Sequence, residues 1–112
     1  MVPVVPVADT VKQLDPDGVV ASTPNRALLR LAQTPQGFRR APLVAAYAAV
    51  AGHAALEQLA GRPAQPPLTD DAGLVERLGG QVVTVDGDPL SFKVTGALDL
   101  LLAEAVAASS RA

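Results

Sequence analysis

Residues Val2 to Val7 form an unbroken apolar run that starts directly after Met1. An apolar run without polar alternation is typical of a strand buried on both faces in a parallel sheet. Such a strand needs neighbours, and the later strand candidates in this chain are few and short. The run therefore predicts a buried strand in a sheet that is larger than these residues supply.

Composition narrows the possible functions. Hydrophobic residues make up 49% and charged residues 18% of the chain, which is typical of a globular protein. Its length of 112 residues allows at most one domain. With 3% aromatic residues and a net charge of −2, the chain lacks the stacking platforms and the positive field that bind a nucleic acid strand. The chain has no cysteine, so thiolate metal sites and disulfides are excluded, and we expect a cytoplasmic protein.

The longest apolar stretch does not predict a membrane span. It runs from Ala41 to Leu56, is half alanine, and is interrupted by Pro42, Gly52 and His53. We therefore expect no membrane partner.

A β-hairpin and a helix are predicted in the first half of the chain. The turn Asp15-Pro16-Asp17-Gly18 separates two short strands, because Asp-Gly tolerates the positive backbone angles of hairpin turns. From Pro42 a helix places Leu43, Tyr47 and Val50 on one face, and we expect Gly52 to bend or end it. A proline-rich loop follows over residues 61–67.

The second half of the chain alternates helices and strands, a pattern that favours an α/β sandwich of mostly parallel type. The pattern predicts a helix over Thr69 to Leu78, a strand over Gln81 to Val85, and a second strand over Leu90 to Thr95. Thr95 is expected to cap the final helix. The core-facing stripe of that helix is predicted to contain Leu98, Leu101, Leu102, Ala105 and Val106.

The strongest candidate for a binding site is Lys93 with Thr95. Side chains two apart on a strand share a face, and the N-terminus of the following helix offers free N–H groups to an anion. A solvated lysine beside an ordinary helix cap explains the same residues.

Other hydroxyl and charged residues have two interpretations each. Thr69-Asp70-Asp71 presents oxygen atoms to a ligand or a magnesium ion, and equally suits helix capping. Thr10 with Lys12 lies on the hairpin and is either a binding pair or part of a charged edge strand. Arg26 matches the oxygens of a phosphate group, although alone it is also an ordinary surface arginine. The loop Gln33 to Phe38 is either functional or a turn.

Five short motifs in this order resemble the C-terminal half of the 2-C-methyl-D-erythritol 4-phosphate cytidylyltransferase family. They are Asp9-Thr10-Val11-Lys12, Asn25-Arg26, Thr34-Pro35-Gln36-Gly37-Phe38, Thr69-Asp70-Asp71-Ala72 and Asp88-Pro89-Leu90-Ser91-Phe92-Lys93-Val94-Thr95. The resemblance implies a partial Rossmann-like nucleotidyltransferase fold, with a mostly parallel sheet flanked by helices. Residues 1–112 would be the C-terminal part of one domain, and residues 10–26 a protruding β-arm that forms a homodimer.

The resemblance also implies roles for individual residues. Thr10 and Arg26 would reach into the site of the partner subunit and contact methylerythritol phosphate there. Thr34, Thr69 and Lys93 would serve the site of their own subunit, with Lys93 neutralising the substrate phosphate. The phosphate would attack the α-phosphorus of CTP and release pyrophosphate, with Mg²⁺ as cofactor.

The resemblance implies that the groups that hold CTP and Mg²⁺ precede the region represented here, since no glycine-rich phosphate loop occurs in the chain. We therefore expect 1–112 alone to be inactive. The stretch from Gly52 to Pro67 is longer than the loop usual in the family. Two alternatives remain open: a similar part of a ribitol-5-phosphate cytidylyltransferase, and a stand-alone, non-catalytic dimerisation domain.

Overall fold

The computed structural model describes residues 1–61 and 68–111, and the side chains of 54–56 and 59 are outside that description. The predicted loop over residues 61–67 therefore lies outside the described residues, apart from Gly61. The chain divides into two compact units. The first comprises Met1–Val2 and Pro35–Val85, and the second comprises Pro3–Thr34 and Asp86–Ala112.

The described residues form an α/β fold, as the sequence predicts. The elements in chain order are β1 (Val2–Pro6), β2 (Gln13–Leu14), β3 (Val20–Ser22), β4 (Arg30–Ala32), α1 (Arg40–Ala60), α2 (Asp71–Arg77), β5 (Thr84–Asp86) and α3 (Ala97–Ser109), with 3₁₀ turns at Arg26–Leu28 and Pro89–Ser91.

One sheet has the strand order β4-β1-β5, and β2 and β3 form a separate hairpin. β4 runs antiparallel to β1, with Val4 opposite Ala32 and Val5 opposite Leu31. This pairing differs from the mostly parallel sheet that we expected. The segment from β1 to β4 contains the hairpin and no α-helix, and an antiparallel return needs no crossover helix.

The first unit contains the most deeply buried side chains. Ala46 on α1 and Leu74 on α2 are 2% and 1% exposed, and Val2 and Ala72 are also buried. α1 and α2 pack against each other. Small side chains such as Ala46 on α1 and Ala72 on α2 are buried in this unit and are compatible with close packing of the two helices.

α1 differs from its prediction at Gly52. The helix continues through this glycine to Ala60 and ends at Gly61, which has a φ of 64° and a backbone N–H bonded to the Glu57 carbonyl. A glycine inside a helix costs about 1 kcal/mol relative to alanine, and such a cost does not break a 21-residue helix. The helix end is set by Gly61, where a left-handed residue is needed.

The second unit contains the predicted hairpin. Asp15 Oδ1 accepts hydrogen bonds from the N–H groups of Asp17 and Val19, at 3.0 and 2.9 Å. Gly18 in the turn has a φ of 81°, a conformation that favours glycine. Lys12 Nζ donates to Thr23 Oγ1 across the base of the ribbon over 2.9 Å. The turn chemistry therefore explains where the chain reverses.

The predicted strand over Leu90 to Thr95 is wrong. Pro89–Ser91 form a 3₁₀ turn, and residues 92–95 have no strand pairing. Asp88 Oδ1 accepts from the Leu90 N–H over 2.8 Å, and Pro89 stands at the start of the turn. These two local preferences override the alternating pattern, so Lys93 and Thr95 do not share a strand face.

The predicted cap of α3 is also wrong. Gly96, not Thr95, is the N-cap residue. The carboxylate of Asp99 reaches back and accepts from the N–H groups of Thr95 and Gly96 at 3.0 and 2.9 Å. Because the acidic side chain satisfies these donors, the Thr95 hydroxyl is not needed for the cap.

The core-facing stripe of α3 is different from the predicted one. Asp99, Ala103 and Val106 are half-buried, whereas Leu98, Leu101 and Leu102 are 78%, 63% and 52% exposed. An apolar stripe predicts a buried face only if another surface covers it. Within the part of the chain that is described, these leucines are largely uncovered.

No helix among residues 1–61 and 68–111 combines the length and apolar character that crossing a membrane requires.

Candidate functional site

The five candidate substrate residues are divided between the two units. Thr10, Arg26, Thr34 and Lys93 belong to the second unit, and Thr69 belongs to the first. All five side chains are exposed. Their convergence on one sugar phosphate stays a prediction.

The turn that carries Thr69 is held by Gln36. Gln36 Nε2 donates to Asp70 Oδ2 over 2.9 Å, and Gln36 Oε1 accepts from the Ala72 N–H over 3.2 Å. Asp70 is the N-cap of α2, and its Oδ1 accepts from the Gly73 N–H over 2.8 Å. Helix capping is therefore an observed role of Asp70, and the turn presents the Thr69 hydroxyl on the surface.

Asp71 also has a structural partner. Tyr47 on α1 donates a short hydrogen bond from its hydroxyl to Asp71 Oδ1. This hydrogen bond to the carboxylate raises the pKa of Tyr47 above its usual value, and the negative charge of Asp71 adds to the effect. A cavity of about 290 Å³ is lined by both residues, by Thr69 and Asp70, and by two leucines.

In the second unit, Gln33 links the residues before Thr34 to the loop before Lys93. Its Nε2 donates to the Asp88 carbonyl over 2.7 Å, and its Oε1 accepts from the Asp88 N–H over 3.1 Å. A side-chain amide with both bonds to one residue behaves like a paired backbone amide. The ends of the segments that carry Thr34 and Lys93 are therefore joined directly.

Arg26 has a structural contact at the base of the hairpin. Its Nη1 donates to the Ala8 carbonyl over 2.6 Å, across 18 residues. The neighbouring Asn25 accepts from the Ala27 N–H over 3.1 Å and starts the 3₁₀ turn. This contact orients Arg26, and the guanidinium has further N–H donors.

The residues described do not form a metal centre. Among them, no group of three or more histidine, cysteine, aspartate or glutamate side chains is placed to hold a metal ion. Asp70 and Asp71 are engaged with Gly73, Gln36 and Tyr47. The donors present in these ranges therefore do not fit the Mg²⁺ that the family resemblance implies, and we assign no magnesium ligand to them.

A larger hollow in the first unit has an apolar lining. Its volume is about 530 Å³, and its walls include Phe38, Leu43, Val75 and Val82. None of the five candidate residues lines it. The lining also includes Arg39 and Gln81, but most of it is apolar, and we assign no sugar phosphate to it.

Sequence reasoning missed the two glutamines as contact residues. Gln33 and Gln36 lie in the predicted loop, but their partners are 55 and 34 residues away. No local pattern indicates which distant backbone a glutamine binds. The one available signal in the sequence is that two glutamines in this loop are followed, later in the chain, by two turns that contain aspartate.

Solved structures of cytidylyltransferases share this fold. The 2-C-methyl-D-erythritol 4-phosphate cytidylyltransferase from Thermus thermophilus has a TM-score of 0.72 and 38% identity, covering 95% of this chain and 46% of that one. The 4-diphosphocytidyl-2C-methyl-D-erythritol synthase from Anaerococcus prevotii has a TM-score of 0.74 and 29% identity, covering 94% and 44%. The fold is therefore of the nucleotidyltransferase class.

The sequence identifies the family within that class. The profile of 2-C-methyl-D-erythritol 4-phosphate cytidylyltransferase (IspD) matches residues 1–109, and the chain belongs to this enzyme family. A relative of that name from Nocardia farcinica is 56% identical over 104 residues, covering 93% of this chain and 39% of the relative. One from Frankia casuarinae is 54% identical over 108 residues, covering 96% and 35%. The chain thus spans less than half the length of these proteins.

Proposed function

We propose that this chain carries the sugar-phosphate side of a cytidylyltransferase site. The proposed reaction transfers a cytidylyl group from CTP to 2-C-methyl-D-erythritol 4-phosphate, in isoprenoid biosynthesis. The observation that supports it most is the family match over residues 1–109 together with 56% identity to a relative of that name.

Lys93, Thr34 and Thr69 are proposed to bind the substrate phosphate and its sugar. A phosphate oxygen of the substrate attacks the α-phosphorus of CTP, a new P–O bond forms, and the bond to the β-phosphate oxygen breaks to release pyrophosphate. The Lys93 ammonium offsets the negative charge of the attacking phosphate, and the hydroxyl groups orient it. Exposure of all three side chains supports this role, because a substrate must reach them.

The hairpin is proposed to be a dimer arm. Leu14, Val19 and Val20 are 55%, 61% and 52% exposed on it. Apolar side chains on a two-stranded ribbon are costly in water, and a second subunit that covers them would stabilise the ribbon. In such a homodimer Thr10 and Arg26, at the base of the arm, would contact the substrate of the partner.

CTP is proposed to be held by residues other than these 112. The sequence contains no glycine-rich phosphate loop, and the residues described supply no metal cluster. We therefore expect a polypeptide of these 112 residues to bind no CTP in calorimetry. Micromolar binding by that polypeptide would contradict this part of the proposal.

The reaction is tested with a chimera in which this chain replaces the matching segment of the Nocardia farcinica relative. We expect the chimera to release pyrophosphate from CTP when methylerythritol phosphate is present. The control is the same assay with ribitol 5-phosphate, which we expect to react poorly. A cooperatively folded chimera that is inert, or that prefers ribitol 5-phosphate, would refute the proposed substrate.

A further inference from the structure

We propose that Gln33 is a positioning residue of the sugar-phosphate site. It holds the loop that leads into Lys93 at a fixed place relative to Thr34. The inference rests on the proposed function, because it gives Lys93 and Thr34 a common substrate. It adds a residue that the resemblance does not assign to that substrate.

The side-chain amide of Gln33 is held at both of its polar atoms. Both polar atoms of the Gln33 side chain bond to the backbone of Asp88, at 2.7 and 3.1 Å, across 55 residues of chain. The backbone of Gln33 is itself fixed, since its N–H donates to the Pro3 carbonyl over 2.8 Å. The side chain is half-buried. Gln33 is therefore a rigid bridge with one end on the strand β1.

Gly87 lies directly against the Gln33 amide. Gly87 donates its N–H to the Val4 carbonyl over 2.8 Å. A Cβ at position 87 would overlap the amide oxygen of Gln33 and would come within 3.1 Å of the Val4 carbonyl oxygen. The φ of Gly87 is not in the left-handed region. A Cβ here would therefore displace the Gln33 amide and crowd the Val4 carbonyl, whereas the backbone conformation of Gly87 does not favour glycine.

Hydrogen bonds within the turn that follows Asp88 connect this residue to the segment of Lys93. The backbone carbonyl of Asp88 accepts from the Ser91 N–H over 2.9 Å. The side-chain Oδ1 of Asp88 accepts from the Leu90 N–H over 2.8 Å. The same carbonyl accepts from Gln33, so both of its lone pairs are used. Fixing Asp88 thus fixes the turn Pro89–Ser91, which ends two residues before Lys93. Thr34 directly follows Gln33 in the chain.

We therefore expect these contacts to affect the binding of the sugar phosphate and not the binding of the nucleotide. The turn itself keeps its own hydrogen bonds to Asp88 when the bridge is lost. Loss of the bridge removes the two Gln33 contacts that hold Asp88 in place, so the Lys93 ammonium can shift relative to the Thr34 hydroxyl. A displacement of about 1 Å in a positioning group can cost about a hundredfold in rate. CTP is proposed to bind elsewhere, so its KM is expected to stay close to that of the parent.

The test uses the chimera described above with Gln33→Ala and the matched control Gln58→Ala, which removes an exposed glutamine on α1. We expect Gln33→Ala to raise the KM for methylerythritol phosphate about 10- to 100-fold, with the KM for CTP within about twofold. The control should change neither constant. A parent chimera that folds but is inert refutes the proposed function. An active parent in which Gln33→Ala changes both KM values equally, or neither, refutes the positioning role alone.

A second variant, Gln33→Glu, adds a pH signature that a general structural defect does not have. The ionised carboxylate accepts from the Asp88 N–H but repels the Asp88 carbonyl, whereas the protonated acid donates to that carbonyl. We expect the ratio of the variant KM to the parent KM for the sugar phosphate to fall as the pH is lowered. A ratio that is independent of pH, or that rises, contradicts the bridge.

Gly87→Ala provides a readout that does not depend on activity. In the 112-residue chain we expect both Gly87→Ala and Gln33→Ala to speed hydrogen exchange of the Asp88 amide, measured by NMR. In the Gln33→Ala background, Gly87→Ala should add little, because the overlapping amide oxygen is gone. Fully additive effects, or an Asp88 amide that exchanges equally fast in the parent, would overturn the proposal.

Discussion

The side-chain amide of Gln36 donates a 2.9 Å hydrogen bond to Asp70, and the same carboxylate caps α2 through the Gly73 N–H. One carboxylate thus joins the loop after Thr34 to the start of a helix 34 residues later. Thr69 directly precedes Asp70, so its position depends on both bonds. Asp70, which follows this threonine, therefore has a structural role: it caps α2 and bonds to Gln36.

Replacing Asp70 tests this relationship. Asp70→Ala removes the cap and leaves the Gln36 amide without its carboxylate partner, so we expect unfolding free energy to fall by about 1–2 kcal/mol. Gln36→Ala should cost less, because the cap to Gly73 remains. Urea denaturation of the 112-residue chain measures both, with exposed Asp9→Ala as the control. If Asp70→Ala is no more destabilising than Asp9→Ala, the described cap is wrong.

Asp99 predicts a dependence of stability on pH. Hydrogen bonds from the N–H groups of Gly96 and Thr95 lower the pKa of Asp99 below its usual value. The contribution is therefore complete above the unfolded-state pKa and is lost as the pH falls through the lower folded-state pKa. We expect Asp99→Ala to lower the melting temperature near neutral pH, and the difference from the parent to vanish in strong acid. Glu104→Ala, on the same helix, is the control. A difference that grows towards acid pH would have the wrong sign.

The proposed dimer arm predicts a change in mass. Leu14→Asp with Val20→Asp places charge on the exposed apolar residues of the hairpin. We expect the chimera to sediment as a dimer and this variant to sediment as a monomer at the same concentration. Val44→Asp, an equally exposed apolar position on α1, should leave the dimer intact. A monomeric parent chimera, or a variant that remains dimeric, contradicts the arm.

The exposed leucines of α3 predict that the 112-residue chain binds apolar dyes. Leu98 and Leu101 are 78% and 63% exposed, and adjacent apolar side chains on a helix form a continuous patch. Leu98→Glu with Leu101→Glu should remove most of the fluorescence of the dye ANS, and Leu28→Glu, at an 82% exposed site outside α3, should remove little. Equal losses from both variants would show that α3 is not the main patch.

Local signals in the sequence predicted much of the fold. The Asp-Gly turn located the hairpin, since Gly18 adopts the positive φ that the turn requires. Acidic residues and Gly79-Gly80 located α2 within about two residues, because caps and helix ends depend on near neighbours. The α/β class followed from the alternation of strands and helices.

Competing local signals explain what was wrong. The alternation of Leu90, Phe92 and Val94 predicted a strand, but the Asp88 cap and Pro89 impose a turn. The stripe on α3 identified Val106 correctly as half-buried, yet periodicity does not show which surface covers a helix. The bridges of Gln33 and Gln36 connect distant segments and had no local signal.

The most direct test of the central proposal is the effect of Lys93→Ala on the two KM values of the chimera. Loss of a charged contact to the substrate phosphate should raise the KM for methylerythritol phosphate about 10- to 100-fold and leave the KM for CTP within about twofold. Arg111→Ala, an exposed cation at the other end of α3, is the control. An equal rise in both KM values, or no rise in either, would contradict the assignment of this chain to the sugar-phosphate side of the site.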